Sequence, residues 1–256
     1  GLDALLSGFC ARLMAGGPPL VRAFLTLESL DPTVEALGVA WQRPAGAAER
    51  RDYPRAEDRD FEPEGWRASP LHRLLHSPDT HLRRRLDQPG AVAEFPIFRD
   101  LAALGATDYL AVKARFAGAG AGSGVMSTWA TDRAGGFTTA DRDLLEATLP
   151  GLHHAAATVM LHESADAVLG TYLGRDAAHR VLGGAVGRGV AHSLDAILWT
   201  SDLAGFTRLA DTEPQHRVIE LLNAYAERTC DAVEEAGGEV LKFTGDGTLA
   251  VFDRHR

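Results

Sequence analysis

At 256 residues the chain has room for two domains of ordinary size. Its 45% apolar and 24% charged content excludes collagen-like and wholly disordered chains, and no apolar run approaches the roughly eighteen residues of a membrane-spanning helix. Thirty-five acidic against twenty-six basic residues leave a net charge of -9, which argues against a nucleic-acid binder held by phosphate contacts; an acidic protein handling a phosphorylated substrate needs metal ions to offset the repulsion.

Gly1 is not a natural start and no basic-then-apolar leader follows it, so both ends of the natural protein are expected to lie outside these residues. An amphipathic opening with Leu5, Leu6, Phe9 and Leu13 predicts a helix ended by Gly16 and Gly17. Leu20 to Leu27 and Val34 to Trp41 read as strands separated by the turn-former Asp31-Pro32. Residues 44 to 69, rich in Arg, Pro, Glu and Ala, read as a long surface excursion. Asp108 to Phe116 and Val125 to Thr131 read as paired strands joined by the small-residue loop Ala117 to Gly124. Thr138 and Asp141 have capping-box spacing, so a helix is expected to begin there. Leu145, Leu149, Leu152, Ala156 and Val159 then recur at steps that suit either a helix lying on its own sheet or a dimer seam, with Pro150 expected to kink it. From about Ser164 to Val190 the glycines predict a short helix with turns on both sides, a connector without a core of its own.

Ala196 to Ser201 is a short apolar run, read as a buried strand, and Asp202-Leu203-Ala204-Gly205-Phe206-Thr207 leads from it into a helix. A carboxylate at a strand end, followed by glycine and a helix N-terminus, brings backbone N–H groups and a cation-holding side chain to one spot suited to phosphate. Thr212, Pro214 and Gln215 read as the capping box of the next helix, whose buried face is Val218, Leu222, Tyr225 and Val233 and whose stop is Gly237-Gly238. Glu239 to Phe243 and Thr248 to Phe252 read as a hairpin around Thr244-Gly245-Asp246-Gly247. Strand, helix pair and hairpin form the opening of a ferredoxin-like α+β layer, which is expected to hold Asp246 next to Asp202. Singly, each aspartate reads as a turn-former or cap, and Lys242 as a solvated strand lysine.

The segments Ser201 to Thr207 and Leu241-Lys242-Phe243-Thr244-Gly245-Asp246-Gly247, separated by Leu221 to Tyr225 and Glu235 to Gly238, resemble the class III nucleotide cyclases over about Ala196 to Phe252. That resemblance implies two divalent ions, Mg²⁺ or Mn²⁺, on Asp202 and Asp246 with the Leu203 carbonyl. It implies that Gly205, Phe206 and Thr207 wrap the phosphates, and that Lys242 contacts adenine, favouring ATP over GTP. The same family shares each site across a head-to-tail homodimer and places its transition-state asparagine and arginine beyond the hairpin. The chain ends at Arg256, so these 256 residues are expected to be inactive by themselves.

Gly105 to Leu110, the strand around Trp129 and Phe137 through Leu145 resemble a GAF-type sensory domain, an antiparallel sheet with helices on one face and a ligand pocket on the other. The resemblances together imply residues 1–163 as a sensor for an unnamed small molecule or other signal, 164–192 as a transducing linker, and 193–256 as the truncated start of an adenylate cyclase catalytic domain. The alternatives are a guanylate cyclase, or a ligand-binding dimerisation module with a catalytically silent tail. Cys10 and Cys230 lie too far apart in the chain to form a framework, which suggests a reducing, cytoplasmic setting. Cys10 reads as a small apolar side chain rather than a chromophore anchor. His72, His76 and His81 lack a completing ligand for zinc. His153-His154 are expected at the surface or a dimer contact, and Arg83-Arg84-Arg85 on a solvated face.

Overall fold

Alternating apolar residues in the first half of the chain build one sheet, and a second, smaller sheet closes the other end. The computed structural model describes residues 1–31, 33–55, 63–115, 124–173, 175–184 and 195–254, with backbone only for 171–173 and 175–177. The expected loop up to residue 123, Gly174 and the connector residues 185–194 lie outside the described residues. The protein is α+β and divides into two units, Gly1–Ser164 and Ala165–Arg256. Among the described residues no helix is long and apolar enough to cross a membrane.

The first unit contains α1 (Leu2–Gly16), β1 (Leu20–Glu28), β2 (Val34–Gln42), β3 (Ala48–Pro54), α2 (Glu64–Arg67), α3 (Pro70–Leu75), β4 (His81–Arg85), α4 (Pro96–Ala103), β5 (Asp108–Arg115), β6 (Gly124–Thr131) and the start of α5 (Thr139–Leu173). The strands form an antiparallel sheet in the order β3-β2-β1-β6-β5-β4. Asp31 Oδ1 fixes the β1–β2 turn by accepting from Thr33 N at 2.7 Å and Val34 N at 3.3 Å. The surface excursion expected over 44–69 contains β3, an exposed and strongly charged strand at the sheet edge. Its charges hide it from an apolar pattern and discourage pairing with another chain.

Each face of this sheet has its own core. On one, Leu2, Leu6, Cys10 and Leu13 of α1 and Leu145, Leu149, Leu152 and Ala156 of α5 pack against Leu25, Val39, Trp41 and Trp129. On the other, Leu71 and Leu74 of α3 and Phe98 and Leu101 of α4 pack against Tyr109, Ala111 and Ala130. The apolar seam of α5 therefore lies on its own sheet, which removes it as a dimer surface. Each fully buried leucine there contributes about 1.5–3 kcal/mol. The capping box forms as expected: Asp141 N donates to Thr138 Oγ1 at 3.1 Å and Thr138 N to Asp141 Oδ2 at 2.9 Å. The helix runs unbroken through Pro150.

The second unit continues α5 to Leu173 and adds α6 (Arg175–Leu182), β7 (Ala196–Ser201), α7 (Phe206–Thr212), α8 (Gln215–Glu235), β8 (Glu239–Thr244) and β9 (Gly247–Asp253). Its sheet runs β7-β9-β8, all antiparallel, so the second hairpin strand inserts between the first strand and the strand after the helix pair. The stop of α8 is a complete Schellman motif: Gly237 takes φ +76°, Gly237 N donates to Glu234 O and Gly238 N to Val233 O. Its start differs from the expected box. Pro214 is the N-cap, and the Thr212 hydroxyl bonds back to Arg208 O at 2.8 Å, finishing α7 instead.

Candidate metal and nucleotide site

The hairpin between β8 and β9 turns through two residues, with Thr244 paired to Gly247. Gly245 takes φ +75°, a conformation glycine reaches without steric cost, and Asp246 follows it half-buried. On the neighbouring strand Ser201 pairs with Thr248, which sets Asp202 opposite Gly247, one residue from Asp246. The approach is close. A Cβ on Gly247 would lie 2.9 Å from Ser201 O, 2.8 Å from Thr244 Oγ1 and 3.3 Å from Asp202 Oδ1. Glycine at 247 is therefore what admits the Asp202 carboxylate to the hairpin turn. The two predicted metal aspartates come to adjacent positions at one end of the small sheet.

After Asp202 the chain turns tightly, with Phe206 N donating to Leu203 O at 3.1 Å and Gly205 at φ +81° forming the N-cap of α7. The Leu203 carbonyl thus has one lone pair engaged and one left, as metal ligation would require. Phe206 N is occupied by that turn. In a helix starting here, Thr207 N and Arg208 N are without intrahelical acceptors by construction. Gly205 and Thr207 are exposed, and Phe206 is half-buried.

Lys242 is exposed on β8 and pairs with Leu249, which in turn pairs with Thr200 of β7. Paired residues share a sheet face, so Lys242, Leu249 and Thr200 lie together, and the next position along β7 on that face is Asp202. Tyr225 holds α8 against the sheet by donating its hydroxyl to Ser201 Oγ at 2.8 Å, one residue before Asp202. That contact is absent from the sequence reading, which took Tyr225 as an apolar-face residue only.

The strand leading to Asp202 is not buried as expected. Ile197, Leu198 and Trp199 are 60%, 68% and 38% exposed, because β7 is a sheet edge with neither face fully covered. Elsewhere on this sheet Val240 and Phe252 are half-buried, the Phe252 ring lying against Gly238 just past α8.

Other side chains singled out from sequence resolve differently. Cys10 is fully buried, and desolvation pushes its thiol up to about 12, so it is unreactive. Among the described residues no three His, Cys, Asp or Glu gather as a metal cluster; His72 and His76 stack on each other, ring centroids 4.3 Å apart. His153 is not at the surface: it is 2% exposed in the core, its Nε2 2.9 Å from Ser127 Oγ, which accepts from Trp129 Nε1 at 3.0 Å. The basic run is not a free solvated face either. Arg83 grips the fully buried Asp108 at 2.6 Å, Arg84 pairs with Glu94 at 2.5 Å, and Arg85 pairs with Asp87. Its alternation along β4 hid three separate pairings. Compared with protein-family models the chain matches none, and no curated protein matches it with significance.

Proposed function

We propose that the chain is the sensory and opening catalytic part of an adenylate cyclase that converts ATP to 3',5'-cyclic AMP and pyrophosphate at a site shared within a homodimer. The reading takes residues 1–163 as a GAF-like sensor, 164–192 as the transducing linker and 193–256 as the start of a ferredoxin-like cyclase domain. The observation that carries it is the approach of Asp202 Oδ1 to within 3.3 Å of a Cβ position on Gly247, the residue after Asp246. The β7-β9-β8 order supports it too, since a ferredoxin-like unit inserts its third strand between the first and second.

The donor set is hard oxygen throughout: two carboxylates and a backbone carbonyl. That suits Mg²⁺ or Mn²⁺, which take a small protein share and complete their shells with phosphate and water. Asp202, Asp246 and the Leu203 carbonyl would hold two such ions, which would lower the pKa of the ribose 3'-hydroxyl and neutralise the triphosphate. The turn from Leu203 to Thr207 contributes N–H donors to the phosphates, with Gly205 allowing the chain to bend around them. Lys242, on the same sheet face as the position of Asp202, would discriminate the base. Tyr225, through Ser201, holds the strand end that carries Asp202.

Titration of Mn·ATP into the chain tests this. We expect binding that weakens at least tenfold in Asp202→Ala and in Asp246→Ala, and a shift toward Mn·GTP in Lys242→Glu. Equal affinity in Asp202→Ala would overturn the site. The second reading, a ligand-binding dimerisation module with a catalytically silent tail, draws on the uncovered Ile197, Leu198 and Trp199; it requires that Mn·ATP does not bind at all.

A further inference from the structure

A β-bulge in β1 changes which side chains face α4. Leu20 pairs with Thr131 but Arg22 with Ala130, so Val21 is the extra residue. After it, Ala23 and Leu25 enter the core beneath α1 and α5, while Arg22 shares the opposite face with Ala130 and Tyr109. Across β2 its partner on that face is Gln42. A guanidinium has thus been turned onto an apolar sheet face.

There it finds no partner among the described residues. Its Nε is buried without a hydrogen bond, and no carboxylate lies within ion-pair distance. Arg43, Arg50, Arg83, Arg84 and Arg85, all on or beside the same sheet, each hold a carboxylate. Desolvation lowers its affinity for the proton, and the through-space influence of Tyr109, Tyr53 and the Asp100 carboxylate offsets this only in part. An unpaired, largely dehydrated cation is costly, and among the described residues no carboxylate pairs with it directly, Asp100 acting only through space. Close by, Phe24 and Tyr53 crowd over Gly38: a Cβ there would meet the Phe24 ring at 2.8 Å and the Tyr53 ring at 2.9 Å. Glycine at 38 lets two aromatic rings lie against the sheet, on the face where Arg22 waits for an anion.

We propose that this face of the six-stranded sheet is a binding site for a small organic acid with an aromatic or flat body, its carboxylate paired with Arg22 and its body against Phe24 and Tyr53. The bidentate fork of arginine suits a carboxylate, and the rings suit a flat apolar body. If the first unit is a sensor, this names the chemical class of its signal, but the site stands on its own geometry and does not depend on what the second unit catalyses.

The test uses the whole chain with benzoate as probe, benzamide as its neutral counterpart and inorganic phosphate as a second anion, at constant ionic strength. Benzoate at about twentyfold above its Kd is expected to raise the Tm by about 4 °C or more, with benzamide and phosphate giving little. Arg22→Met is expected to abolish the benzoate shift while leaving the Tm without ligand equal to or above that of the parent, because an unpaired buried cation has been removed. A benzoate shift that survives in Arg22→Met overturns the site, as does the absence of any benzoate shift in the parent. A shift with phosphate equal to that with benzoate overturns the organic-acid assignment. A large loss of Tm in Arg22→Met without ligand would show that the guanidinium is structural. None of these outcomes depends on Mn·ATP, so the failure of this proposal and of the cyclase reading are separable.

Discussion

Ser127, Trp129 and His153 form a buried polar chain inside an apolar core. Trp129 Nε1 can only donate, so Ser127 Oγ accepts from it, while the direction of the Ser127 Oγ–His153 Nε2 bond is set by the imidazole tautomer. Burial favours the neutral imidazole. Burial, with the neighbouring His154 adding to it, pulls the pKa of His153 down from 6.5 to about 4. The unfolded chain takes up this proton near pH 6.5 while the folded chain refuses it until about pH 4. The associated stability is therefore complete above the unfolded value, erodes as pH falls below it, and is gone once pH has passed through the folded value. The loss approaches about 3 kcal/mol. Urea denaturation at pH 7 and pH 4.5, run on the parent and on His153→Gln, should show a steeper fall in the parent. Parallel slopes would mean that the ring is hydrated in solution. Adjacent histidines in sequence signalled two helix faces but not which one was inward; the Leu149, Leu152 and Ala156 positions around His153 carried that information.

At the scale of single elements, α5 depends on its first turn. The reciprocal Thr138–Asp141 bonds satisfy two N–H groups that the helix cannot, and Asp141, 4% exposed, also holds Arg133 at 3.1 Å. Thr138→Ala should cost about 1 kcal/mol, the usual cap effect, and Asp141→Ala more, because Arg133 loses its carboxylate as well. Chemical denaturation followed by circular dichroism separates the two, and equal losses would argue that Arg133 contributes nothing. This cap was legible in the sequence because a capping box is a local, four-residue device. The other expected box, Thr212 to Gln215, had the same residue types and failed. Thr212 ends a seven-residue helix that no apolar period announced, and its hydroxyl is spent on that helix. The strands β1, β2, β5 and β6 were readable because their apolar residues run thickly between turn signals. The edge strand β3 was not, since an edge carries charge on both faces and erases the pattern. In the candidate site, Asp202, Asp246 and Lys242 were singled out through the cyclase resemblance. The Gly247 close approach and the Tyr225–Ser201 bond depend on strand register and helix docking, which spacing does not encode.

Over the whole molecule, the two sheets differ in how they are covered. The six-stranded sheet has helices and a core on each face, whereas the three-stranded sheet leaves Ile197, Leu198, Trp199 and Phe243 between 38% and 68% exposed. Backbone hydrogen bonds under such thin cover open locally at little cost. Hydrogen exchange resolved by peptide should therefore show amides of β7 and β8 exchanging at least about tenfold faster than those of β1 and β6, with the central β9 in between. The measurement also tests for self-association. Apolar strand edges of this kind are templates for another chain, so raising the protein concentration should slow exchange in β7 more than in β1 if a second copy covers it. Slow exchange in β7 and β8 that is independent of concentration would contradict the exposure of this sheet, and with it the view that the second unit needs a further layer of protein to complete its fold.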